Sequence, residues 1–178
     1  MGYIEKEVNE KYIKNLTILK LKRNYDFIER EEYKEELKAL VESHGFSDYA
    51  ELLSFTAFNV IFNRIEDMQY ENVKVIFNEE VEVPDGEDFI PKTCDVILIG
   101  KDEMEVISIL PLDDNVIWAC NSKEIKLLAI GAIDKYLSRI ECSKIKIITI
   151  QPNLDLCSIY ETSIERILHE YDFTLLDK

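Results

Sequence analysis

The residues of this 178-residue chain whose types could do chemistry are two histidines, four cysteines and a run of carboxylates. His44 and His169 are too few, and too far from any matching ligand spacing, for a histidine-rich metal site. Cys94, Cys120, Cys142 and Cys157 form no CxxC pair. Cys94 and Cys142 adjoin apolar strand patterns, so they read as buried thiols rather than as cluster ligands or disulfide halves. The acidic run holds nine residues, Glu66, Asp67, Glu71, Glu79, Glu80, Glu82, Asp85, Glu87 and Asp88, against Lys74 alone. It can be a hydrated edge, since charge blunts an exposed strand. Its functional reading is an acidic face for the basic nucleic-acid groove of another protein, where complementary potential raises the on-rate and specificity.

The whole chain sets 21 Lys and Arg against 36 Asp and Glu, a formal charge of −15. Such a surface repels phosphates at long range, so direct nucleic-acid binding is disfavoured. No signal-peptide pattern and no apolar run long enough for a bilayer is present, which points to a cytoplasmic protein without a membrane partner. With 47% apolar residues, five Gly and four Pro, the chain is an ordered globular sequence. Its length suits one domain, 1–178, able to bury roughly two-thirds of its unfolded surface.

That domain divides into a helical part, 1–70, a sheet core with a crossover helix, 71–158, and a C-terminal helix and tail, 159–178. Helical spacing over 4–25 and about 30–43 gives two amphipathic helices, the first with an exposed face and the second stopped at His44 and Gly45. A third helix, 48–68, is apolar around most of its circumference and reads as central and buried. Alternation from Val73 to Val83 predicts a strand ending at Pro84, Asp85 and Gly86. Two apolar strands follow, Cys94 to Ile99 and Glu105 to Leu110, joined by a turn at Gly100. Residues 122–138 return to helical spacing, Ile145 to Ile150 form a buried strand, and about 158–170 is the last helix. The order implies an α/β fold with a mixed sheet of about four strands and helices on both faces.

Several strings are more specific than these patterns. Thr93 to Gly100 (TCDVILIG), Glu105 to Leu110 (EVISIL), Leu127 to Ala132 (LLAIGA) and Ile148 to Asp155 (ITIQPNLD) resemble, in order and spacing, a phage-encoded family of RecB-like PD-(D/E)xK exonucleases. Leu19 to Tyr33 is similar to that family's amino-terminal helices, so the resemblance spans about residues 15–158. It implies a nuclease core in which adjacent strands present an Asp, then an Asp or Glu and a Lys, around one or two Mg²⁺ ions. Hard cations require such oxygen ligands, and the ammonium orients water and offsets phosphate charge.

Under that resemblance Asp95 matches the first acidic ligand. Ser108 stands at the second carboxylate and Leu110 at the lysine, and neither can do the missing work. Glu124 and Leu128 fall where the family's helix offers Gln and Tyr, and the amino-terminal acid lands near Asn15 or Ile18. The resemblance therefore implies a pseudo-nuclease whose vestigial positions are Asp95, Ser108, Leu110 and Glu124, with no cofactor. Its alternative is a Mg²⁺-dependent DNA exonuclease in which Glu124, Lys123 and Lys126, or Asp113 and Asp114, supply relocated groups.

Acidity, lost ligands and the phage context together point to an inhibitor of a host-defence nuclease or CRISPR effector, acting in the host cytoplasm on a protein partner. A regulatory subunit of an active nuclease is a third possibility. Trp118, in the segment that replaces the family's polar loop, reads as core packing, and as a partner anchor if it is exposed. Tyr3, Tyr12 and Tyr25 on the first helix are open to the same two readings.

Overall fold

The computed structural model describes residues 3–45, 47–68, 73–85, 88–136, 138 and 142–170, with side chains from Glu10 onward. Tyr3, Glu71, Gly86, Glu87 and Leu137, singled out in the sequence, fall outside the described side chains. The elements are α1 (Tyr3–Asn24), α2 (Arg30–His44), α3 (Asp48–Asp67), β1 (Lys74–Asp85), β2 (Asp88–Ile99), β3 (Glu103–Ile109), α4 (Lys123–Tyr136), β4 (Lys144–Gln151), β5 (Leu156–Ser163) and α5 (Ile164–Glu170). They form an α/β fold with a mixed five-stranded sheet and five helices. The chain divides into two compact units, one of Met1–Arg64, Ile109–Val116 and Ile150–Cys157, the other of Ile65–Ser108, Ile117–Thr149 and Ser158–Lys178.

In the first unit Tyr12, Ile13 and Leu16 of α1 pack with Ala50 and Leu53 of α3, and Leu37, Leu40 and Leu112 close over them. The sequence expectations for α1 and α3 are exchanged here. Far from keeping an exposed face throughout, α1 buries Tyr12, Ile13 and Leu16–Leu19, then Leu21. The buried Thr17 hydroxyl is satisfied by donating to the Ile13 carbonyl at 2.8 Å. By contrast α3, expected to be buried all round, is one-sided: Ala50, Leu53, Ala57, Ile61 and Ile65 face inward, and Leu52 and Phe55 are more than half exposed. Small residues at two inward positions let α3 pack closely, which leaves the larger side chains outside. There Phe55, Phe58 and Phe62 stack in sequence at 6.1 and 5.8 Å, so each ring shields the next. His44, at the end of α2, stacks on Tyr12 at 5.6 Å, a packing role. The helix stops at Gly45, which takes φ 77° and donates its N–H to the Val41 carbonyl.

The sheet, most of whose residues belong to the second unit, runs β1-β2-β3-β4-β5. The hairpin of β1 and β2 is in continuous antiparallel register from Lys74↔Ile99 to Asp85↔Asp88, broken only where Asn78 takes a left-handed φ of 51°. One face of this hairpin is covered by α4. Gly131 of α4 approaches so closely that an added Cβ would lie 2.5 Å from the Glu82 carbonyl oxygen and 3.1 Å from the Val81 side chain. Farther along the same face, Lys135 is ion-paired to Glu79 and the Cys94 thiol reaches the Leu128 carbonyl at 3.8 Å.

Two expectations are corrected. The sheet has five strands, not about four, because residues 156–163, given in part to the last helix, form β5. The inward positions of β5 are Ser158, Tyr160 and Thr162, and the exposed ones include Cys157 and Ile159. Its alternation of burial is thus sound, but apolar and polar residues occur on both of its faces. In addition, β2 begins at Asp88, well before Cys94, its first half hidden in the sequence by Pro91.

Candidate functional site

The continuous register of the hairpin positions Asp95. Antiparallel partners point to the same face, and the pairs Phe77↔Val96 and Glu79↔Cys94 bracket Asp95 opposite Asn78. On the other side, Val96↔Ile107 and Ile97↔Val106 carry the register one step on to set Asp95 opposite Ser108. Both are nearly buried, 8% and 5% exposed. The register therefore brings Asp95 and Ser108, a carboxylate and a hydroxyl, side by side on adjacent strands.

Glu124 is not brought to them. The α4 helix lies over the face that carries Glu79, Val81, Lys92 and Cys94, and Asp95 points to the opposite one. Glu124 is instead well exposed, with the Lys92 ammonium 3.8 Å away, at a pocket of about 320 Å³ between α4 and the hairpin tip, floored by Val83, Ile90 and Leu128. Lys123 lines the same pocket. Lys126 is engaged elsewhere, 3.6 Å from Glu170 and 5.1 Å from the Tyr160 ring centre. Within the first unit, Asp113 caps its own loop by accepting from the Asn115 N–H at 3.0 Å.

The register sets a hydroxyl, Ser108, across from Asp95, whereas Mg²⁺ calls for converging carboxylate oxygens. No group of three or more His, Cys, Asp or Glu side chains able to hold a metal occurs among the described residues. Sequence reasoning missed a second acid–base group, in which Lys146 of β4 pairs with Glu103 at 2.6 Å and lies 3.7 Å from the fully buried Glu105. By strand parity Glu103 and Glu105 face away from the Asp95 side. A closed ion-pair cluster of this kind positions strands rather than substrates.

The string Gln151-Pro152-Asn153 also has a structural task. Gln151 donates to the Asn115 carbonyl at 2.7 Å and Asn153 donates to the Asp113 carbonyl at 2.9 Å, so two amides hold one loop. Pro152 opens a 3-10 turn that Asp155 closes at φ 49°.

The acidic run does not form a single patch. Glu79 is drawn under α4, where the hydrogen bond from Lys135 holds its carboxyl below the usual carboxylate range. Glu80 and Glu82 point the other way and are exposed, opposite Thr93 and Pro91, which are exposed too. Asp85 and Asp88 are exposed partners at the hairpin tip, beside the 40% exposed Phe89. Glu66 and Asp67 are exposed at the end of α3. The outer face of the β1–β2 arm is thus acidic, and Lys92 and Lys135 lie on its covered side.

Trp118, expected in the core, is half exposed. Its segment is held by the Thr149 hydroxyl of β4, which donates to the Ile117 carbonyl, and the Ser158 hydroxyl of β5, which accepts from the Ala119 N–H, and the indole is left outside. Because β1 and β5 are opposite ends of the sheet order, Trp118 belongs to a different surface from Glu80 and Glu82.

This fold and site define an α/β domain with a polar pair buried in its sheet and an acidic hairpin. No helix among the described residues is long and apolar enough to cross a membrane. The chain belongs to the family described as "Protein of unknown function (DUF2800)", which matches residues 11–174. No curated protein matches it. A solved structure titled "Crystal structure of SSO0001" is 18% identical, with 99% of this chain and 88% of that one covered and a TM-score of 0.36.

Proposed function

We propose that this protein is a catalytically inactive, nuclease-like binding protein, encoded by a phage, that inhibits a host-defence nuclease or CRISPR effector by covering its nucleic-acid surface. The observation that carries the reading is the outer face of the β1–β2 arm. Glu80 and Glu82 are exposed there, Asp85 and Asp88 add two exposed carboxylates at the hairpin tip, and Lys92 and Lys135 lie on the other side. A strand-borne row of carboxylates has the sign and regular spacing to meet a groove built for phosphates, and it approaches such a groove with electrostatic steering. The pairing of Asp95 with Ser108 supports the inactive half of the reading, since the resemblance to RecB-like exonucleases asks for two carboxylates at that place.

The test uses purified chain and a panel of defence nucleases and guide-loaded effectors, with nucleic-acid binding by the effector as the readout. The expected result is competitive displacement that weakens as salt rises and falls at least tenfold in the Glu80→Lys, Glu82→Lys double variant. Hydrolysis of DNA or RNA in Mg²⁺ or Mn²⁺ at a rate that tracks this protein would sink the inactive reading. Displacement unaffected by the double variant would sink the acidic-face reading.

A further inference from the structure

The two ends of the sheet are guarded differently. On β1, the left-handed Asn78, the exposed Glu80 and Glu82, and Pro84 discourage strand addition. On β5 the same protection is missing: eight residues, LCSIYETS, contain no Pro and no Lys, carry Glu161 as their one charge, and turn Ile159 outward at 48% exposure. No described strand lies beyond β5 in the sheet order.

Next to this end strand stands the one tryptophan of the chain. The Ala119 N–H donates to the Ser158 hydroxyl on β5 at 3.1 Å, so Trp118 and Ile159 adjoin the two ends of a single buried hydrogen bond. The loop is fixed again where the Thr149 hydroxyl of β4 donates to the Ile117 carbonyl at 2.9 Å. The Trp118 carbonyl accepts from the N–H groups of Asn121 and Ser122 at the start of α4. Backbone anchored at both neighbours and at its own carbonyl, with an indole half in water, is the arrangement of a pre-organised anchor: little entropy remains to be lost on docking.

We propose that β5 and the Trp118 loop form an interface with a second copy of this chain, the two β5 strands pairing antiparallel across a two-fold axis. Charge selects this occupant. Two copies that each carry −15 repel unless they meet where charge is absent. Residues 115–122 (NVIWACNS) and 156–160 (LCSIY) contain no charged side chain at all. A basic effector has no electrostatic reason to choose this surface over the carboxylates of β1. Self-pairing also treats Glu161 well: with the two-fold at Ile159, the two Ile159 side chains meet and each Glu161 falls opposite a Cys157 instead of its own copy. The acidic arms of β1, about 19 Å across the sheet at the ordinary strand spacing, stay outside the interface.

Sedimentation equilibrium and the emission of the sole tryptophan, followed over dilution of the full chain, test this. The expected result is a mass of twice the 20.9 kDa chain, with Trp118 emission shifting to the red as the dimer dissociates, and little change with added salt. Ile159→Lys places a charge on the strand edge and is expected to raise the dissociation constant at least tenfold with the far-ultraviolet spectrum unchanged. If that variant does not fold, Trp118→Ala, which removes a half-exposed side chain, serves the same purpose. A wild-type chain that stays monomeric at hundreds of micromolar overturns the proposal. A dimer that survives a folded variant unchanged, or one that dissolves in salt, overturns it equally.

Discussion

Asp95 on β2 and Ser108 on β3 are set opposite each other by the register that runs from Ile99↔Met104 to Val96↔Ile107. A carboxylate and a hydroxyl can share a hydrogen bond, but they make a poor cradle for a divalent ion. Ser108→Glu supplies a second acid beside Asp95. Two carboxylates in a nearly buried place repel, so this variant is expected to lose about 3 kcal/mol without metal. Saturating Mn²⁺, at 100 times its dissociation constant, would return about 2.7 kcal/mol by mass action. Thermal melts with and without Mn²⁺ provide the comparison, with wild-type protein insensitive to the ion. A variant that Mn²⁺ does not stabilise would mean that the two positions do not face one another.

Gly131 reports on how closely α4 lies against β1. In an ordinary helix interior Gly→Ala adds up to about 1 kcal/mol of stability. Here the new methyl would meet the Glu82 carbonyl at 2.5 Å, and backbone cannot swing aside as a side chain can. Gly131→Ala is therefore expected to destabilise by about 2 kcal/mol in urea unfolding, the usual cost of overpacking. A gain in stability would show that the helix stands farther from the strand.

How much of this was legible beforehand depended on whether burial and polarity coincide. They coincide in β3, where Met104, Val106, Ile107 and Ile109 are all fully buried and the apolar run declares itself. They part company in β5, whose inward Ser158 is spent on the Ala119 N–H, and in α3, whose Leu52 and Phe55 look like core yet face water. Position 95 and position 108 could be named from local strings, but the burial of both, and the separation of Glu124 onto the other face, depend on pairing across strands. The outward turn of Glu80 and Glu82 and the inward turn of Glu79 follow from parity once the strand is known. Choosing which parity faces α4 needed Gly131, which the sequence marks only as a glycine in a helix.

Glu79 gives the acid-pH behaviour. Its hydrogen bond from Lys135, ahead of the opposing effect of burial, holds its folded pKa below the ordinary 4.5. A depressed carboxylate pKa means that the unfolded chain binds the proton more readily, so the stabilisation is fully present above about pH 4.5 and is lost as pH falls through the folded value. Because the pair is partly solvated, Glu79→Gln is expected to cost only about 0.5 kcal/mol at pH 7. That difference should close on acidification into the pH 3 region, measured by parallel melts of both proteins. A gap that persists at low pH would assign the loss to packing instead of charge.

The cysteines offer a chemical readout of burial. Cys94 is fully buried beneath α4, and desolvation, reinforced by the negative charges of Asp95 and Glu79, pushes its thiol up to about 12. The reactive species is the thiolate, so at pH 8 Cys94 should resist alkylation on the native protein for as long as the domain stays folded. Cys120, exposed in the loop beside Trp118, should react at once. Cys142, raised chiefly by burial, should lag behind Cys120. Mass spectrometry of iodoacetamide-treated protein over time gives the order directly. Early modification of Cys94 would require α4 to lift from the hairpin, and Gly131→Ala should then accelerate it in proportion to the stability it removes.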